Sequence, residues 1–206
     1  MTVKARRSTY RQEQAAATRH RIAAAARKLF AERGYGATTL AAIAAEAGVA
    51  EPTVYAVFGS KRSFLVALRQ QMHAEVELSK LTDAAKEAPD ARLKLEAWAR
   101  LLRTQMERSY DVIAVHREAA RVDPGAAEEY RSVLDSRAGQ MRQLVRRLAP
   151  DLRADLTLRS ATDILWAFSN EELYRELVQE RKWAPDRYET WIARTLKQQL
   201  LADPGI

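Results

Sequence analysis

The fold is decided by residues 38–61, TTLAAIAAEAGVAEPTVYAVFGSK. The first half repeats apolar residues at the i, i+3, i+4, i+7 spacing of one helix face: Leu40, Ile43, Ala44 and Ala47. Gly48 follows at the place where the backbone has to take a positive φ to turn sharply. This half predicts a short amphipathic helix that ends in a tight turn.

The second half predicts another short helix. Pro52 falls in its first turn, where the missing N–H costs little, and Gly59 ends it. Val54 and Val57 are spaced to point inward, which leaves a set of residues to face outward: Glu51, Thr53, Tyr55 and Ala56. Two helices joined by a glycine turn match the helix-turn-helix motif, whose second helix enters the major groove of DNA. The alternative on geometry alone is a helical hairpin at the edge of a bundle.

Two cations open the helix that follows the motif. Ser60 can cap this helix, and Lys61 and Arg62 begin it. The helix dipole disfavours cations at this end by a few tenths of a kcal/mol, and such a locally unfavourable choice often marks a functional site. A helix N-terminus that carries a lysine is a good phosphate holder, because backbone N–H groups and the ammonium converge there.

Positive charge is concentrated in the first third of the chain. The 206 residues carry a formal net charge of +7. Residues 1–70 hold 12 Lys and Arg against 4 Asp and Glu, whereas residues 71–206 hold 22 against 23. A basic module joined to a neutral one indicates a polyanionic partner for the first module. The alternative is a basic surface that serves solubility.

Composition favours an all-α protein. Hydrophobic residues make up 47% of the chain and charged residues 30%, while Gly (7) and Pro (6) are few. With no cysteine there is no disulfide framework and no thiolate nucleophile. The chain shows neither an apolar run of membrane-spanning length nor a signal peptide, so we expect a cytoplasmic protein.

Periodicity along the chain predicts about ten helices and no strand. The first strong helix is expected over 18–33, and a longer one over 60–81. Residues 82–90 read as a loop that ends at a proline. Separate helices are expected near 95–106 and 111–121, with further helices towards the C-terminus.

Residues 18–68 resemble the DNA-binding domain of the TetR family of bacterial transcriptional regulators. The matching pieces, in order, are RIAAAARKLFAERGYGATTL, IAAEAGV, TVY followed by Phe58, and SK at 60–61. The resemblance implies a helix-turn-helix domain over 18–66 and a ligand-binding and dimerisation domain over 67–206. It further implies a homodimer that pairs through two C-terminal helices, and a repressor that a small molecule releases from a palindromic operator.

Six residues are candidates for contact with double-stranded DNA. Tyr55 and Lys61 would bind phosphate, the phenol through a hydrogen bond and the ammonium as a point charge. The resemblance adds Thr39 as a phosphate contact. Three residues of the second helix would face base edges: Glu51, Pro52 and Thr53.

The second helix departs from the family pattern in its polar residues. Many family members have a serine cap where Ala50 stands, and His or Tyr where Ala56 and Val57 stand. Specificity would then depend more on DNA shape or on residues 1–17, a predicted basic flexible arm. The alternative for this arm is an inert solvated tail.

The family resemblance places a pocket for an unknown small-molecule effector in the C-terminal domain. The candidate lining residues are Trp98, Leu102, Met106, Tyr110, His116, Trp166 and Tyr174. Each of these is more often an ordinary core residue, and a lone histidine on an apolar stripe usually has its hydrogen bonds satisfied. The three histidines share no metal-ligand spacing, so we expect neither a metal nor a cofactor.

Two other classes of function are alternatives to a DNA-binding regulator. An enzyme is disfavoured because the chain has no glycine-rich phosphate loop and no GxSxG motif, and its carboxylates are scattered over helix surfaces. An architectural nucleic-acid binder, or a bundle that acts through protein contacts, stays open. The large neutral C-terminal module argues against a pure packaging role.

Overall fold

The computed structural model describes residues 3–202, with side chains at Tyr10 and from residue 12 onwards. Its α-helices are α1 Val3–Ala37, α2 Leu40–Ala47, α3 Glu51–Phe58, α4 Lys61–Glu75, α5 Leu78–Glu87, α6 Ala91–Val122, α7 Pro124–Leu148, α8 Leu158–Phe168, α9 Glu171–Tyr174 and α10 Pro185–Leu200. A π-helical segment, Arg175–Glu180, continues α9. No strand occurs within residues 3–202, which confirms the all-α prediction.

The first helix is longer than predicted. It begins at Val3, so the backbone of residues 3–17 is helical where an irregular arm was expected. Ala, Gln, Glu and Arg dominate residues 11–17, and extending an existing helix costs far less than nucleating a new one. The cations of the predicted arm are Lys4, Arg6, Arg7 and Arg11, and their side chains lie outside the described residues. Met1 and Thr2 lie outside them altogether.

The helix expected over 60–81 is two helices, since α4 ends at Glu75 and α5 begins at Leu78. Two other stretches differ in the opposite sense. Residues 82–87 of the loop expected over 82–90 are helical, because α5 continues to Glu87 and buries Thr82 and Ala85 on one face. The helices expected near 95–106 and 111–121 are one helix, α6, with a single non-helical residue at Ser109 (φ −147°, ψ 20°). In both places, tertiary packing stabilises a helix where the local sequence predicted a break.

The chain divides into two compact units. The head comprises Met1–Gln71 and Asp111–Glu128, and the body comprises Met72–Tyr110 and Glu129–Ile206. The second half of α6 therefore belongs to the head, whereas the sequence placed everything after residue 66 in the C-terminal domain. The functions assigned to the two domains stay predictions.

Each unit has its own apolar core. The core of the head is formed by apolar residues of α1 to α4: Ile22, Leu29, Phe30, Ile43, Val54, Phe58, Phe64, Leu65 and Leu68. Phe58 stacks on Phe64 with ring centroids 4.1 Å apart, and Phe30 meets Phe64 edge-on at 6.4 Å. The body buries Leu95, Trp98, Leu102, Met106, Met141, Leu144, Leu165, Tyr188, Ile192 and Leu196.

No single helix among the described residues is long and apolar enough to cross a lipid bilayer. Taken as a pair, α2 and α3 would meet the criterion by length and composition, but a 106° bend separates them.

Candidate nucleic-acid interface

The helix-turn-helix is present as the sequence predicts. Helices α2 and α3 are joined by a turn in which Gly48 takes the left-handed conformation (φ 64°, ψ 41°). The chain bends by 106° between them, within the range of this motif. Thr39 caps α2, because its hydroxyl oxygen accepts a hydrogen bond from the Ala42 N–H at 3.1 Å.

Helix α3 turns one polar face towards solvent. Val54 is buried as predicted, but Phe58 is its buried companion one turn later, and Val57 is only half-buried. Four residues are exposed on the outer face: Glu51, Pro52, Tyr55 and Ala56; Thr53 is half-buried beside them. With 52% of its surface accessible, Tyr55 can reach a partner.

The start of α3 has no side-chain cap, as the alanine at this position led us to expect. Ala50 stands at the N-cap in an extended conformation and makes no capping hydrogen bond. Pro52 lies in the first turn, where the helix needs no N–H from it. The first N–H groups of α3 therefore have one fewer internal acceptor than those of α2.

The ammonium of Lys61 is bound to the end of α1. It donates to the carbonyl oxygens of Tyr35 at 2.7 Å, Thr38 at 3.1 Å and Gly36 at 3.4 Å, and it lies 4.2 Å from the Tyr35 ring centroid. An ammonium has three N–H donors, and three carbonyl acceptors surround this one. The sequence predicted a phosphate contact here and gave no sign of these internal partners.

Burial lowers the pKa of Lys61 below its ordinary value of 10.5, because a desolvated ammonium is less stable than a solvated one. The charges of Asp123 and Glu118 offset part of this effect. Lys61 thus sits in a partly dry site, held by backbone dipoles and by carboxylates beyond hydrogen-bond range.

A second cation binds near the C-terminal end of α3. Arg19 on α1 donates to the carbonyl oxygen of Val57 at 2.8 Å and lies 4.4 Å from the ring centroid of Phe58. It thereby satisfies a carbonyl at the C-terminal end of α3, where the helix dipole favours a cation. Sequence reasoning missed this role, because nothing local distinguishes Arg19 from its basic neighbours.

Several other cations of the head are engaged in ion pairs within the head. Arg27 binds Asp111 through two hydrogen bonds of 2.6 and 2.9 Å, and Lys28 meets Glu46 at 2.7 Å. The net positive charge of the head therefore overstates how many cations are available to a polyanion.

The body contains most of the candidate ligand-pocket residues, and it packs them tightly. Trp98, Leu102, Met106 and Tyr174 are buried, Tyr110 is half-buried, and Trp166 is 36% exposed. The indole N–H of Trp98 donates to the Ser169 hydroxyl at 3.1 Å. Trp98 and Trp166 contact a polar cluster for which the sequence carried no signal.

Arg137 is the centre of this polar cluster. Its guanidinium donates to the Ser169 carbonyl at the end of α8, lies 4.0 Å from the Glu171 carboxylate, and sits 5.1 Å from the ring centroid of Trp166. Burial lowers the pKa of Arg137, and the Glu171 charge counters this. One arginine among many in α7 carries no sequence signal for such a position.

Two tyrosines line the same region. The rings of Tyr174 and Tyr188 meet edge-on, with centroids 5.1 Å apart. Burial raises the pKa of both hydroxyls above the ordinary value of 10.0, because the phenolate is less stable out of water.

His116 falls in the head, whereas the other pocket candidates fall in the body. It lies in the head, buried, with its Nε2 atom 3.0 Å from the Leu65 carbonyl oxygen. Its contact attaches the second half of α6 to α4, which matches the alternative of a histidine with satisfied hydrogen bonds. Among the described residues, no cluster of His, Asp and Glu could hold a metal ion.

An open groove of about 420 Å³ lies on the surface of the body. It is lined by Trp183, Asp186, Arg187, Thr190, Trp191 and Arg194. The guanidinium of Arg187 lies 3.9 Å from the Trp183 ring centroid, and the two tryptophans meet edge-on at 5.9 Å. The sequence analysis did not single out this groove.

Comparison with known families matches residues 22–68 to the family described as bacterial regulatory proteins, tetR family. This range covers α2, α3, most of α4 and the end of α1. A search of curated proteins by sequence finds no match.

Solved structures share the fold over most of the chain. The regulator FadR from Bacillus subtilis, in complex with stearoyl-CoA, has a TM-score of 0.70 at 19% identity and covers 86% of this chain and 96% of its own. SmeT in complex with triclosan has a TM-score of 0.73 at 21% identity, covering 91% and 93%. NalD of Pseudomonas aeruginosa, described as the secondary repressor of an efflux pump, has 0.72 at 21%, covering 93% and 99%.

Proposed function

We propose that this chain, a member of the tetR family of bacterial regulatory proteins by its domain at residues 22–68, is a transcriptional repressor that a small molecule releases from a palindromic operator. The observation that carries the proposal is the exposed face of α3, held behind a tight Gly48 turn in a basic unit. A helix presented in this way fits the major groove of DNA.

The contacts with DNA divide into phosphate and base contacts. Tyr55, exposed on α3, and Thr39, at the N-terminus of α2, bind phosphate oxygens and fix the register of the head on the duplex. Three residues at the start of α3 face base edges: Glu51, Pro52 and Thr53. Because this set is poor in hydrogen-bonding groups, DNA shape contributes to sequence preference.

The protein acts as a homodimer in this proposal. On α8, Leu158 is 46% exposed and Trp166 is 36% exposed, which is unusual for large apolar residues on a monomer surface. The groove around Trp183 and Trp191 adds aromatic surface on and beside α10. A second copy paired through α8 and α10 would cover these side chains and present two recognition helices to a two-fold symmetric site.

The body serves as the ligand-binding unit. Structural neighbours of this fold were solved with stearoyl-CoA and with triclosan, so the fold accommodates ligands with large apolar parts. Here Trp98, Tyr174 and Arg137 offer aromatic surface and one cation in the same region. A ligand bound there regulates DNA binding only if it binds one conformation of the dimer more tightly than another.

Selection of bound fragments from random and genomic DNA tests the proposal. We expect an enriched palindrome whose half-sites are separated by about one helical turn, or a multiple of it. Affinity for the selected site should fall steeply with salt concentration, since phosphate contacts release counterions. Enrichment without any sequence preference would instead indicate an architectural binder, and no binding at low ionic strength would refute DNA binding altogether.

Tyr55→Phe tests the placement of the recognition helix. Loss of the phenol hydroxyl removes one phosphate contact, so we expect affinity for the selected site to fall about fivefold, corresponding to roughly 1 kcal/mol. The free energy of unfolding in urea should not change, because the side chain is exposed. Unchanged affinity in this variant would show that α3 does not meet the backbone through Tyr55.

A further inference from the structure

Three turns of the head meet around Tyr35, a side chain that is only 1% exposed. The first is the corner, defined here as residues 34–38, which leads from α1 into α2. The second is the start of α4, with Lys61 and Arg62, and the third is the junction between α6 and α7 at Asp123. All of these residues belong to the head.

Asp123 uses both carboxylate oxygens. Its Oδ1 atom accepts hydrogen bonds from the N–H groups of Gly125 at 2.9 Å and Ala126 at 3.2 Å, which caps the start of α7. Its Oδ2 atom accepts the hydroxyl hydrogen bond of Tyr35 at 3.1 Å and lies 4.0 Å from Arg62 Nε. One side chain therefore ties the α6–α7 junction to the corner.

The corner is also held at its backbone. Lys61 binds the carbonyl oxygens of three corner residues, and Glu118 on α6 accepts a hydrogen bond from the Gly36 N–H at 3.3 Å. Gly34 takes a positive φ of 80°, and a Cβ there would lie 2.6 Å from the Glu118 carboxylate. These contacts leave the corner little freedom to move.

The corner in turn sets the start of α2. Thr38 is buried, and its hydroxyl donates to the Gly34 carbonyl at 2.8 Å. The next residue is Thr39, the cap of α2 and a proposed phosphate contact. A displaced corner would therefore displace the N-terminus of α2 relative to the recognition helix.

We propose that Asp123, acting through Tyr35 and Lys61, is a positioning residue for DNA binding that holds the corner in the geometry the phosphate backbone requires. Lys61 in this view contributes by organising the corner, since its three donors are taken up by carbonyl oxygens. The inference rests on the proposed DNA-binding function and adds residues that lie away from the motif itself.

The proposal and simple electrostatics predict opposite signs for the same substitution. Asp123→Asn removes a negative charge from the head, which on charge alone should strengthen binding to DNA. If Asp123 positions the corner, the same variant should bind more weakly. Asparagine remains a good helix cap, so the start of α7 is preserved while the charged acceptor for Tyr35 is lost.

Affinity for the selected DNA site is measured for wild type, Asp123→Asn and a matched control, Glu128→Gln. Glu128 is an exposed residue of the head, and its substitution changes the net charge by the same amount. We expect Asp123→Asn to bind about tenfold more weakly, the size of one hydrogen bond to a charged group. Glu128→Gln should bind as well as wild type or more tightly.

Two further measurements separate positioning from other roles. The slope of log affinity against log salt should be unchanged in Asp123→Asn, because no phosphate contact is removed. Tyr35→Phe should weaken binding as well, and the double variant should be no weaker than Asp123→Asn alone, because each change removes the hydrogen bond from the Tyr35 hydroxyl to the Asp123 carboxylate. All affinities are taken at a temperature where circular dichroism shows each variant fully folded.

The outcomes are distinguishable. Equal or tighter binding by Asp123→Asn, with wild type binding its site, overturns the positioning role and leaves the proposed function intact. Additive effects of the two substitutions also overturn it. If wild type itself ignores DNA at low ionic strength, the proposed function fails first, and the positioning role fails with it.

Discussion

The head and the body each place a partly buried cation on backbone carbonyls near the end of a helix and on an aromatic ring, but they support the cation differently. Lys61 in the head has three carbonyl partners and the Tyr35 ring, with carboxylate charges acting only from beyond hydrogen-bond range. Arg137 in the body has one carbonyl, the Trp166 ring and the Glu171 carboxylate, which is 6% exposed.

This difference decides what each cation controls. Removing Arg137 deprives a buried carboxylate of its guanidinium neighbour, so we expect the main effect to be a lower free energy of unfolding. Removing Lys61 leaves carbonyl oxygens at a turn without their donor, so we expect a larger part of the effect to be a change in the geometry of the corner. The body therefore uses charge to hold its core, and the head uses charge to hold the corner that leads into the helix-turn-helix.

The largest effect is expected for Arg137→Ala. The free energy of unfolding in urea should fall by about 3 kcal/mol, because Glu171 stays buried without this partner. Glu171→Gln in the same chain should recover part of the loss, since a neutral amide is cheaper to bury than a carboxylate. Arg142→Ala, an exposed arginine on the same helix, should change stability by less than about 0.5 kcal/mol. A loss of that small size in Arg137→Ala would remove the contrast between the two units.

Lys61→Met should have a smaller effect on stability, about 2 kcal/mol, because the stem is kept while the hydrogen bonds to carbonyls and the cation–π contact with Tyr35 are lost. The same variant should bind the selected DNA site more weakly. A phosphate contact predicts that the salt slope flattens by about one unit, whereas a role in shaping the corner leaves the slope near the wild-type value. The two measurements together sharpen the comparison with Arg137.

Asp123 should make its contribution to stability dependent on pH. Burial alone would raise the pKa of Asp123, but hydrogen bonds from Ala126, Tyr35 and Gly125, with the Arg62 charge, outweigh it and hold the pKa below its ordinary 3.8. Because the folded state binds the proton less readily than the unfolded state, the stabilisation is complete well above pH 3.8 and is lost as pH falls through the folded-state pKa.

Urea unfolding of wild type and Asp123→Asn from pH 7 down to acid checks this sign. The advantage of wild type should be about 1 to 2 kcal/mol near neutral pH and should shrink only in the acid range. An advantage that grows as the pH falls would contradict the assigned hydrogen bonds.

The smallest effect is expected at the uncapped start of α3. Ala50→Ser supplies the missing side-chain acceptor and should stabilise the head by about 0.5 kcal/mol, whereas Thr39→Ala, which removes the cap of α2, should destabilise it by about 1 kcal/mol. Thermal unfolding followed by circular dichroism measures both. Equal and negligible shifts would show that capping does not distinguish the two helices of the motif.

The sequence predicted the motif well because its signals are local. Gly48 needs a left-handed backbone, Thr39 offers an oxygen to the N–H three residues on, and Ala50 has nothing to offer. Each of these interactions involves residues within one helical turn of each other, so the local sequence is enough to predict it. The same holds for Asn170, whose side-chain oxygen caps α9 by accepting from the Glu172 N–H.

Predictions failed where distant residues decide the outcome. Residues 82–87 of the loop expected over 82–90 are helical, because the helix face with Thr82 and Ala85 is buried. The role of Lys61 could not be read from the sequence, because the carbonyl oxygens it binds lie 23 to 26 residues away. Arg137 looks like any other arginine until Ser169 and Glu171 are brought beside it.

By itself, therefore, the sequence determined an all-helical chain with a helix-turn-helix near its start, a basic first third and a neutral remainder. Hydrophobic periodicity, glycine turns and caps act over one or two helical turns, and charge can simply be counted. Only the tertiary structure decided which cations are exposed to solvent and which bind carbonyl or carboxylate oxygens inside the units. That choice depends on contacts between residues far apart in the chain, which exist only after the helices have packed.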